Sequence, residues 1–534
     1  MQVELVLLVL SLLFFASIFT DKIGYKFGVP ALLLFLVVGM LFGADGIGAL
    51  FNEDGVGYML KTETAEALST IALCIILFSG GMDTKLTDIR PVVAPGVTLA
   101  TLGVMLTAAI TGIILFYIFG WLNSYEAVPL SMALLMAATM SSTDSASVFS
   151  ILRTNGIGLK HNLRPLLELE SGANDPMAYV LTTTLIGVVT TKATVSGLEI
   201  VQTIVIQLVM GTVIGFFFGK GLVELMRRTK LSNESLYPIM VLTACIFIFS
   251  VTYYMKGNPY LAVYVGGLII GNSKFTRKHQ TKSFFDGLTW LAQLVMFLML
   301  GLMVRPHELL NWHVLFAGLI ISVVMVCISR PIAVFLCMLP FKKFVNKDKL
   351  FLSWVGLKGA VPIIFAVMCK AEGVPHADLL FNIIFLCTLV SLLTQGTSLS
   401  SMAKRLQVAT EPVKLKKLIH FDIELPEEIQ SSATEIEVTW DMIADGNHLR
   451  EISLPPQTLV IMVRRGEDFF VPTGQSELKE GDQLLVLTDN DVELANRYKE
   501  EEQAEEQRFA TRQLVEHTRE YVMRVWKKIK ENKK

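Results

Sequence analysis

Charge is scarce in this sequence. Of its 534 residues, only 18% are charged, whereas 52% are hydrophobic. A soluble protein of this length would expose far more charge, so the composition predicts a membrane protein. The formal net charge of −2 gives no sign of a strongly basic surface, and we expect no nucleic-acid partner.

The motifs of disulfide-rich proteins, metal sites and enzymes are missing as well. The six cysteines all lie in apolar stretches without metal-ligand spacing, so they are interpreted as small core residues and no disulfide framework is expected. Gly219 and Lys220 are followed by Gly221, which does not match a nucleotide-binding P-loop, and no nucleophile elbow is present. We therefore expect neither an enzyme nor a resident cofactor, and ATP-driven transport is not expected.

Long apolar stretches are abundant from residue 4 to residue 400. Each has about the 20 residues that a helix needs to cross a bilayer, and the first lacks the basic start of a signal peptide. Thirteen spans are predicted, near residues 4–20, 29–49, 64–82, 92–119, 128–152, 162–189, 198–226, 237–255, 259–272, 285–305, 310–340, 350–371 and 377–400.

The loops between these spans alternate in basic residues. One set of loops holds about 19 lysines and arginines, and the alternate set holds about 5. Basic loops stay in the cytoplasm. The sequence therefore predicts an inner-membrane protein with its N-terminus outside and its C-terminal end in the cytoplasm.

The composition changes abruptly after the last span. Short apolar runs at 434–440, 458–463 and 484–487 alternate with charge and turns, which predicts a small α/β domain. The predicted organisation is a transmembrane domain over 1–403, a linker over 404–420, a small domain over 421–495 and a charged helical tail over 496–534. The predicted fold is an all-α polytopic membrane domain of about 13 transmembrane helices, followed by a small cytoplasmic α/β domain.

The fifth span contains a cluster of hydroxyl groups around one carboxylate, Asp144. It reads Met140-Ser141-Ser142-Thr143-Asp144-Ser145. Serine, threonine and aspartate side chains compete with a helix for backbone hydrogen bonds, so an unwound segment is predicted, with carbonyl oxygens open to a cation. The alternative is an ordinary helix in which Asp144 caps or pairs near the end.

The sixth span places oxygen ligands on one helical stripe. Glu170 and Asn174 are four residues apart, as are Ser171 and Asp175, and residues at this spacing share a face. Pro176 cannot donate a hydrogen bond and frees a carbonyl. Oxygen ligands suit hard cations, so a cation site is predicted; the alternative is that Asp175 only pairs with a basic residue.

Two basic residues lie inside later spans, Arg330 in the eleventh and Lys358 in the twelfth. Charges at this depth are rare unless they are functional, although both could be structural counter-ions of the carboxylates. Gly356, Gly359 and Pro362 around Lys358 predict a second interrupted helix. Interrupted spans at matching positions, the fifth and the twelfth, indicate an inverted repeat around a transport site.

With these residues in view, the membrane domain resembles the NhaP-type branch of the monovalent cation:proton antiporters. The resemblance rests on Ser142-Thr143-Asp144 together with the stretch from Glu170 to Asp175. It implies that Asp175 is the carboxylate that alternates between proton and cation, and that Thr143, Asp144, Glu170, Ser171 and Asn174 form or order the site. The transported ion would bind Asp175, Ser171 and Asp144. A homodimer with an elevator-like motion is implied as well.

The sequence departs from that family at two places. Lys358 stands where members commonly carry arginine, and Ser79 stands where many carry an acidic residue that pairs with the arginine at the place of Arg330. The partner of Arg330 is therefore open. Residues 421–495 resemble a TrkA-C domain, the C-lobe of the RCK regulators of potassium transport, which favours K⁺. The resemblance is compatible with a small regulatory nucleotide as the ligand, and the alternative is a domain that only stabilises a dimer.

The resulting hypothesis is a secondary antiporter that exchanges cytoplasmic K⁺ or Na⁺ for external protons, for cation and pH homeostasis. A protonated Asp175 neither attracts nor holds a cation, and a deprotonated one does both. One asparagine beside one aspartate predicts one proton per cation and electroneutral exchange. The alternative is a ligand-gated monovalent cation efflux channel, although no repeated filter segments are present.

Overall fold

The computed structural model describes most of the chain. The described residues are 8, 11–19, 31–43, 45–46, 62–122, 128–191, 197–229, 231–275, 277–410, 433–438, 440–443, 446–452, 458–466 and 468–488. The predicted tail over 496–534 and most of the predicted linker lie outside them. The chain divides into two compact units, Met1–Pro412 and Val413–Lys534.

The first unit is a bundle of helices, which we number in chain order. Their bounds are 11–19 (α1), Ala31–Phe42 (α2), Thr62–Asp83 (α3), Leu86–Gly120 (α4), Leu130–Thr139 (α5), Ser145–Thr154 (α6), Leu163–Thr191 (α7), Gly197–Arg228 (α8), Leu236–Tyr254 (α9), Pro259–Gly271 (α10), Lys278–Leu302 (α11), Pro306–Leu309 (α12), Trp312–Cys337 (α13), Asn346–Trp354 (α14), Val361–Ala371 (α15) and Ala377–Arg405 (α16).

Many of these helices have the length and composition of membrane spans. Within the described part of the chain, seven are long and apolar enough to cross a bilayer: α3, α4, α8, α9, α11, α13 and α16. Helix α8 leaves Val205, Val209 and Phe217 more than half exposed. Large apolar side chains on the outside of a helix bundle suit lipid and not water, which agrees with the predicted polytopic membrane domain.

Helix α10 is held between α3 and α8 by very close backbone contacts. A Cβ atom on Gly267 would lie 2.2 Å from the carbonyl oxygen of Phe78 on α3. A Cβ atom on Gly215 of α8 would lie 2.4 Å from the carbonyl oxygen of Ala262. Small residues at helix crossings let backbones approach and gain packing energy inside a membrane, so these glycines fix α10 in place.

The first predicted interruption is present. Helix α5 ends at Thr139, α6 begins at Ser145, and residues 141–144 between them are not helical. The Thr139 hydroxyl donates to the Met136 carbonyl at 2.7 Å, and the Ser141 hydroxyl donates to the Ala138 carbonyl at 2.6 Å. These hydroxyls satisfy carbonyls at the end of α5 that the stopped helix would leave without partners.

The second predicted interruption is also present, and the two breaks touch. Helix α14 ends at Trp354, and α15 begins at Val361 with Pro362 in its first turn. Proline is tolerated there because the first amides of a helix have no partner within it. The amide of Asp144 donates to the Leu357 carbonyl at 2.8 Å. Each break therefore supplies a hydrogen-bond partner to the other.

A two-stranded ribbon joins two distant parts of the first unit. Strand β1, Gly158–Leu159, follows α6, and it pairs antiparallel with β2, Ala409–Thr410, after α16. Nearby, His161 contacts the buried carboxylate of Asp348 at 3.0 Å. The sequence analysis did not predict this ribbon, because strands of two residues carry no periodic signal.

The second unit contains a four-stranded antiparallel sheet. Its strands are Ala433–Glu437 (β3), Thr458–Arg465 (β4), Asp468–Phe470 (β5) and Gln483–Thr488 (β6), in the order β3-β6-β4-β5. A short helix, Trp440–Ile443 (α17), follows β3. The core contains Ile436, Val438, Val463, Leu484 and Val486, each at most 2% exposed. The predicted strands at 458–463 and 484–487 are confirmed. The first predicted strand, 434–440, extends only to Glu437, since its predicted end, Trp440, begins α17. Strand β5 was not predicted.

A bidentate ion pair fixes the turn before β6. The guanidinium of Arg465 donates to both carboxylate oxygens of Asp482, at 2.9 and 2.6 Å, and the Lys479 amide donates to the same carboxylate at 2.8 Å. Burial raises the pKa of Asp482, but these hydrogen bonds and the nearby positive charges outweigh it and hold the pKa below 3.8.

We expect Asp482→Asn to loosen this sheet at neutral pH. A carboxyl group with a lowered folded-state pKa adds stability above its unfolded pKa, and this stability is lost as the pH falls through the folded-state value. Hydrogen–deuterium exchange of the full-length protein should show weaker protection of β4 and β6 in the variant at pH 7, with the difference shrinking below about pH 4. Glu480→Gln, an exposed carboxylate in the same turn, is the control. Equal protection at pH 7 would contradict the assignment.

Candidate functional site

The predicted stripe of oxygen ligands on α7 is buried in the first unit. Glu170, Ser171, Asn174 and Asp175 are 1%, 9%, 0% and 8% exposed. Polar side chains this deeply buried need partners, because an unpaired polar group in a low-dielectric interior is costly. Their partners come from the first break, from α13 and from the second break.

Ser171 and Asn174 hold α7 against the first break. The Ser171 hydroxyl donates to the Thr143 carbonyl at 2.9 Å and accepts from the Ser145 amide at 3.0 Å. Asn174 Nδ2 donates to the Thr143 hydroxyl at 2.5 Å. One serine thus satisfies a carbonyl and an amide that the interrupted helix leaves without helical partners.

Asp175 lies one residue further along α7, at the centre of these contacts. The Ser142 side chain faces its carboxyl group. Asp175 Oδ1 and Asn174 Oδ1 are both buried and have no hydrogen-bond partner among the described residues. A buried carboxylate oxygen without a partner is suited to accept a proton, and buried carboxylate and amide oxygens are both suited to ligate a cation.

Asp144 caps the second half of the broken helix. Its carboxylate accepts from the Ser147 amide at 3.1 Å and from the Ser147 hydroxyl at 2.5 Å. A Cβ atom on Gly359 would lie 2.6 Å from Asp144 Oδ2, so only glycine admits this approach of the second break. A carboxylate at a helix N-terminus is favourable. These contacts show that Asp144 caps a helix, which was one part of the alternative considered for it. The role of Asp144 as a cation ligand stays a prediction.

Lys358 lies at the other end of the first break, where α5 ends. Its ammonium donates to the Ser142 carbonyl at 2.9 Å, and the residue is 7% exposed. The Ser142 carbonyl follows the end of α5, where the helix dipole is negative. The Lys358 ammonium therefore lies at the C-terminal end of α5, while the Asp144 carboxylate lies at the N-terminal end of α6.

The partner of Arg330, left open by the sequence, is Glu170. The Arg330 guanidinium forms an ion pair with Glu170 Oε1, and both side chains are buried. Arg330 is thus the counter-ion of Glu170, as the structural alternative held. No sequence signal could identify this pair, because the two residues lie 160 positions apart.

Two further contributions to the site were not predicted from the sequence. Asn258, at the start of α10, donates through Nδ2 to the Pro176 carbonyl at 2.7 Å, one residue from Asp175. Its Asn-Pro step marks a helix start but does not reveal this contact. Ser391 and Gln395 on α16 lie against the second break, and nothing in their local sequence distinguishes them from other polar residues in apolar helices.

A small cavity of about 20 Å³ lies beside the second break. Its lining includes Met140, Arg330, Gly356, Lys358, Ser391 and Gln395. Asp175 does not line this cavity. The cavity is therefore lined by the two basic side chains and the α16 residues, and not by the carboxylate of Asp175.

A helical membrane bundle in which two broken helices cross beside buried carboxylates defines an integral membrane transporter. A family model described as sodium/hydrogen exchanger, transmembrane, matches residues 8–405. Because this match spans well over half of the sequence, the chain belongs to the sodium/hydrogen exchanger family. A TrkA-C domain model matches residues 433–497.

Curated relatives cover much of the chain. It is 41% identical over 408 residues to the K(+)/H(+) antiporter NhaP of Alkalimonas amylolytica, covering 76% of this chain and 67% of that protein. It is 36% identical over 483 residues to the K(+)/H(+) antiporter NhaP2 of Shewanella sp. strain ANA-3, covering 89% of this chain and 80% of that protein.

A solved structure has the same fold. The sodium proton antiporter MjNhaP1 from Methanocaldococcus jannaschii superposes with a TM-score of 0.63, at 22% identity, over 76% of this chain and 99% of that one. At this identity the likeness establishes the arrangement of the helices and no more.

Proposed function

We propose that the chain is a secondary antiporter that exchanges cytoplasmic K⁺ or Na⁺ for external protons at Asp175. The observation that carries the proposal is the pair of buried oxygens, Asp175 Oδ1 and Asn174 Oδ1, that have no partner among the described residues. An ionised carboxylate oxygen in this state is strongly unfavourable. A proton or a cation relieves this cost, and the two compete for the same group.

The other two buried carboxylates of the site each have partners. Glu170 pairs with Arg330, and Asp144 accepts two hydrogen bonds from Ser147. Asp175 is therefore the carboxylate that is free to change its proton, and its neighbour Asn174 cannot ionise. One titrating carboxylate supports an exchange of one proton for one cation, which moves no net charge.

Potassium is the proposed substrate. Relatives at 36% and 41% identity carry K(+)/H(+) antiporter names, whereas the Na(+)/H(+) antiporter NhaH of Halobacillus dabanensis is 27% identical over 296 residues. The TrkA-C match points the same way, because the resemblance of that domain is to regulators of potassium transport. A small nucleotide is the proposed ligand of the TrkA-C domain. These relatives favour coupled exchange over the channel alternative.

The finer architecture belongs to the proposal as well. It comprises thirteen membrane crossings related by an inverted repeat, an N-terminus outside, a cytoplasmic TrkA-C domain and a homodimer in the inner membrane. Helical residues occur in each of the thirteen predicted spans, and the two broken spans meet, as an inverted repeat around a transport site would require.

Proton flux in proteoliposomes tests the function. We expect outward gradients of K⁺ and Rb⁺ to drive saturable proton uptake into vesicles that contain a pH-sensitive dye, with weaker responses to Na⁺ and Li⁺. A K⁺ concentration jump on a solid-supported membrane should give no sustained current. Protein-free vesicles are the control. A sustained current would contradict one-for-one exchange, and cation flux without proton movement would support the channel instead.

A further inference from the structure

The small cavity beside the second break is lined by two positively charged side chains and, among the described residues, by no carboxylate. Arg330 belongs to α13, and Lys358 belongs to the break itself. They are deeply buried, at 4% and 7% exposed. A buried charge is costly unless an opposite charge or several hydrogen bonds compensate it. The hydrogen-bond partners of these two cations therefore decide what the cavity can hold.

The Lys358 ammonium is only partly compensated. It has three hydrogens to donate, and the Ser142 carbonyl accepts one of them at 2.9 Å. Glu170 and Asp175 interact with Lys358 electrostatically, but neither lines the cavity, and Glu170 is already paired with Arg330. Lys358 therefore brings donors to the cavity without a carboxylate in the lining to receive them.

Arg330 also has a donor without a partner. Its guanidinium pairs with Glu170 Oε1, but Nε is buried and has no hydrogen-bond partner among the described residues. Gly356 lines the cavity beside this nitrogen, and a Cβ atom there would lie 3.4 Å from Arg330 Nε. Because glycine has no side chain, a ligand has room to approach the Nε–H group.

A third donor comes from α16. Gln395 lines the cavity and is 1% exposed. Its Nε2 carries two hydrogens, and the Trp354 carbonyl accepts one of them at 2.8 Å. Its Oε1 accepts from the Ser391 hydroxyl at 2.5 Å. The amide of Gln395, the Nε of Arg330 and the ammonium of Lys358 thus each bring a donor to one cavity.

The remaining hydroxyls of the lining use their hydrogens within their own helices. Ser322 donates to the Gly318 carbonyl at 2.7 Å, and Thr388 donates to the Ile384 carbonyl at 3.0 Å. Their oxygens are therefore left as acceptors. A water molecule fits this set of hydrogen bonds as well as an anion does, so the charge of the lining is what separates the two ligands.

The size of the cavity limits it to one small ligand. Its volume is about 20 Å³, and a single water molecule needs about 10–15 Å³. Phosphate and carboxylate ligands are too large, which leaves water or an anion of one atom. Two positive charges without a carboxylate in the lining favour the anion, because Coulomb attraction is strong where the dielectric constant is low.

We propose that this cavity is a binding site for one halide ion, chloride under cellular conditions, held by Arg330 Nε, the Lys358 ammonium and Gln395 Nε2. The anion offsets the charge of Lys358 and gives Arg330 Nε its missing partner. It joins α13, the second break and α16 around one ligand. The inference does not depend on the exchange proposed at Asp175.

Thermal unfolding of the full-length protein in detergent tests the site. The K⁺ concentration is held constant while the anion is changed from gluconate, which is too large for the cavity, to chloride or bromide. A ligand that binds the folded protein raises its melting temperature. We expect a saturable rise of at least about 2 °C in both halides. Equal melting temperatures in the three salts would overturn the proposal.

Gly356→Ala locates the binding. Its Cβ atom would make an ordinary van der Waals contact with Arg330, at 3.4 Å from Nε, so the fold should persist while the space beside this donor is filled. The rise in chloride should fall to less than half of the wild-type value. A full rise in this variant would place the anion elsewhere and overturn the assignment.

Gly103→Ala is the matched control. Gly103 is a buried glycine of α4 outside the cavity lining, and the nearest atom to its added Cβ would be Cys337 Sγ at 3.8 Å. This variant should keep the full rise in chloride. Loss of the rise in both variants would show a general effect of added methyl groups, which also contradicts the proposed site.

Anomalous diffraction from wild-type crystals grown in potassium bromide identifies the ligand directly, and it decides the matter if Gly356→Ala does not fold. We expect an anomalous peak beside Arg330 Nε and the Lys358 ammonium. A water molecule there, without anomalous signal, would overturn the proposal. A bromide peak without any halide effect on the melting temperature would mean an adventitious ion only. None of these measurements uses proton flux, so a failure here leaves the proposed function untouched.

Discussion

Asp175→Asn is expected to abolish K⁺-driven proton flux in proteoliposomes. Asparagine keeps the size of the side chain, but it cannot release a proton or bind a cation through a charged oxygen. The variant should therefore remain folded, with a size-exclusion profile and thermal unfolding midpoint close to those of the wild type, while proton flux falls to that of protein-free vesicles at every pH.

Glu168→Gln is the matched control for this experiment. Glu168 lies on the same helix, seven residues before Asp175, and forms an i,i+4 pair with Arg164, whose side chain is 59% exposed. Partly exposed pairs of this kind contribute little, so we expect near wild-type exchange. Proton flux of wild-type size from the Asp175→Asn variant would refute the assignment of the exchanging group.

Arg330→Gln is expected to lower the free energy of unfolding by about 3–5 kcal/mol. The substitution leaves the Glu170 carboxylate in the interior without its counter-ion, where the side chains of the pair are 5% and 1% exposed. Chemical denaturation in mild detergent, followed by tryptophan fluorescence, measures the change. The cost arises from the uncompensated charge and not from the loss of packing.

The double variant Glu170→Gln/Arg330→Gln separates these causes. With both charges removed, no buried ion is left unpaired, so the double variant should regain much of the stability lost by Arg330→Gln. Arg164→Gln, which breaks the exposed pair with Glu168, should cost at most about 1 kcal/mol. A loss in Arg330→Gln no larger than this control would show that the buried pair is not coupled.

The breaks in the membrane helices could be predicted because their causes are local. The hydroxyl cluster before Asp144 competes with the helix for backbone groups, and Pro362 begins a new helix after two glycines. The buried face of α7 followed from spacing alone, because residues four apart share a face. The charged candidate residues followed from the cost of placing charge in a membrane, and the roles assigned to the site residues followed from the family resemblance.

The partnerships within the site could not be predicted because they join distant segments. The pairing of Arg330 with Glu170 and the hydrogen bond from Gln395 Nε2 to the Trp354 carbonyl depend on how the helices pack. Ser79 indicated that Arg330 lacks the acidic partner that many family members carry at that position. It did not reveal that Glu170 is the partner instead. Ser171 was predicted as an ion ligand, and its hydroxyl also serves the backbone of the first break, which its sequence position does not show.

The ribbon of β1 and β2 has a practical consequence for deletion experiments on the TrkA-C domain. Residues Ala409 and Thr410 pair with Gly158 and Leu159, which follow the second half of the first broken helix. A protein shortened at residue 403, the predicted end of the membrane domain, would also lose this pairing. Inactivity of such a protein would then report damage next to the first broken helix, and a stop after Thr410 is needed to isolate the contribution of the domain itself.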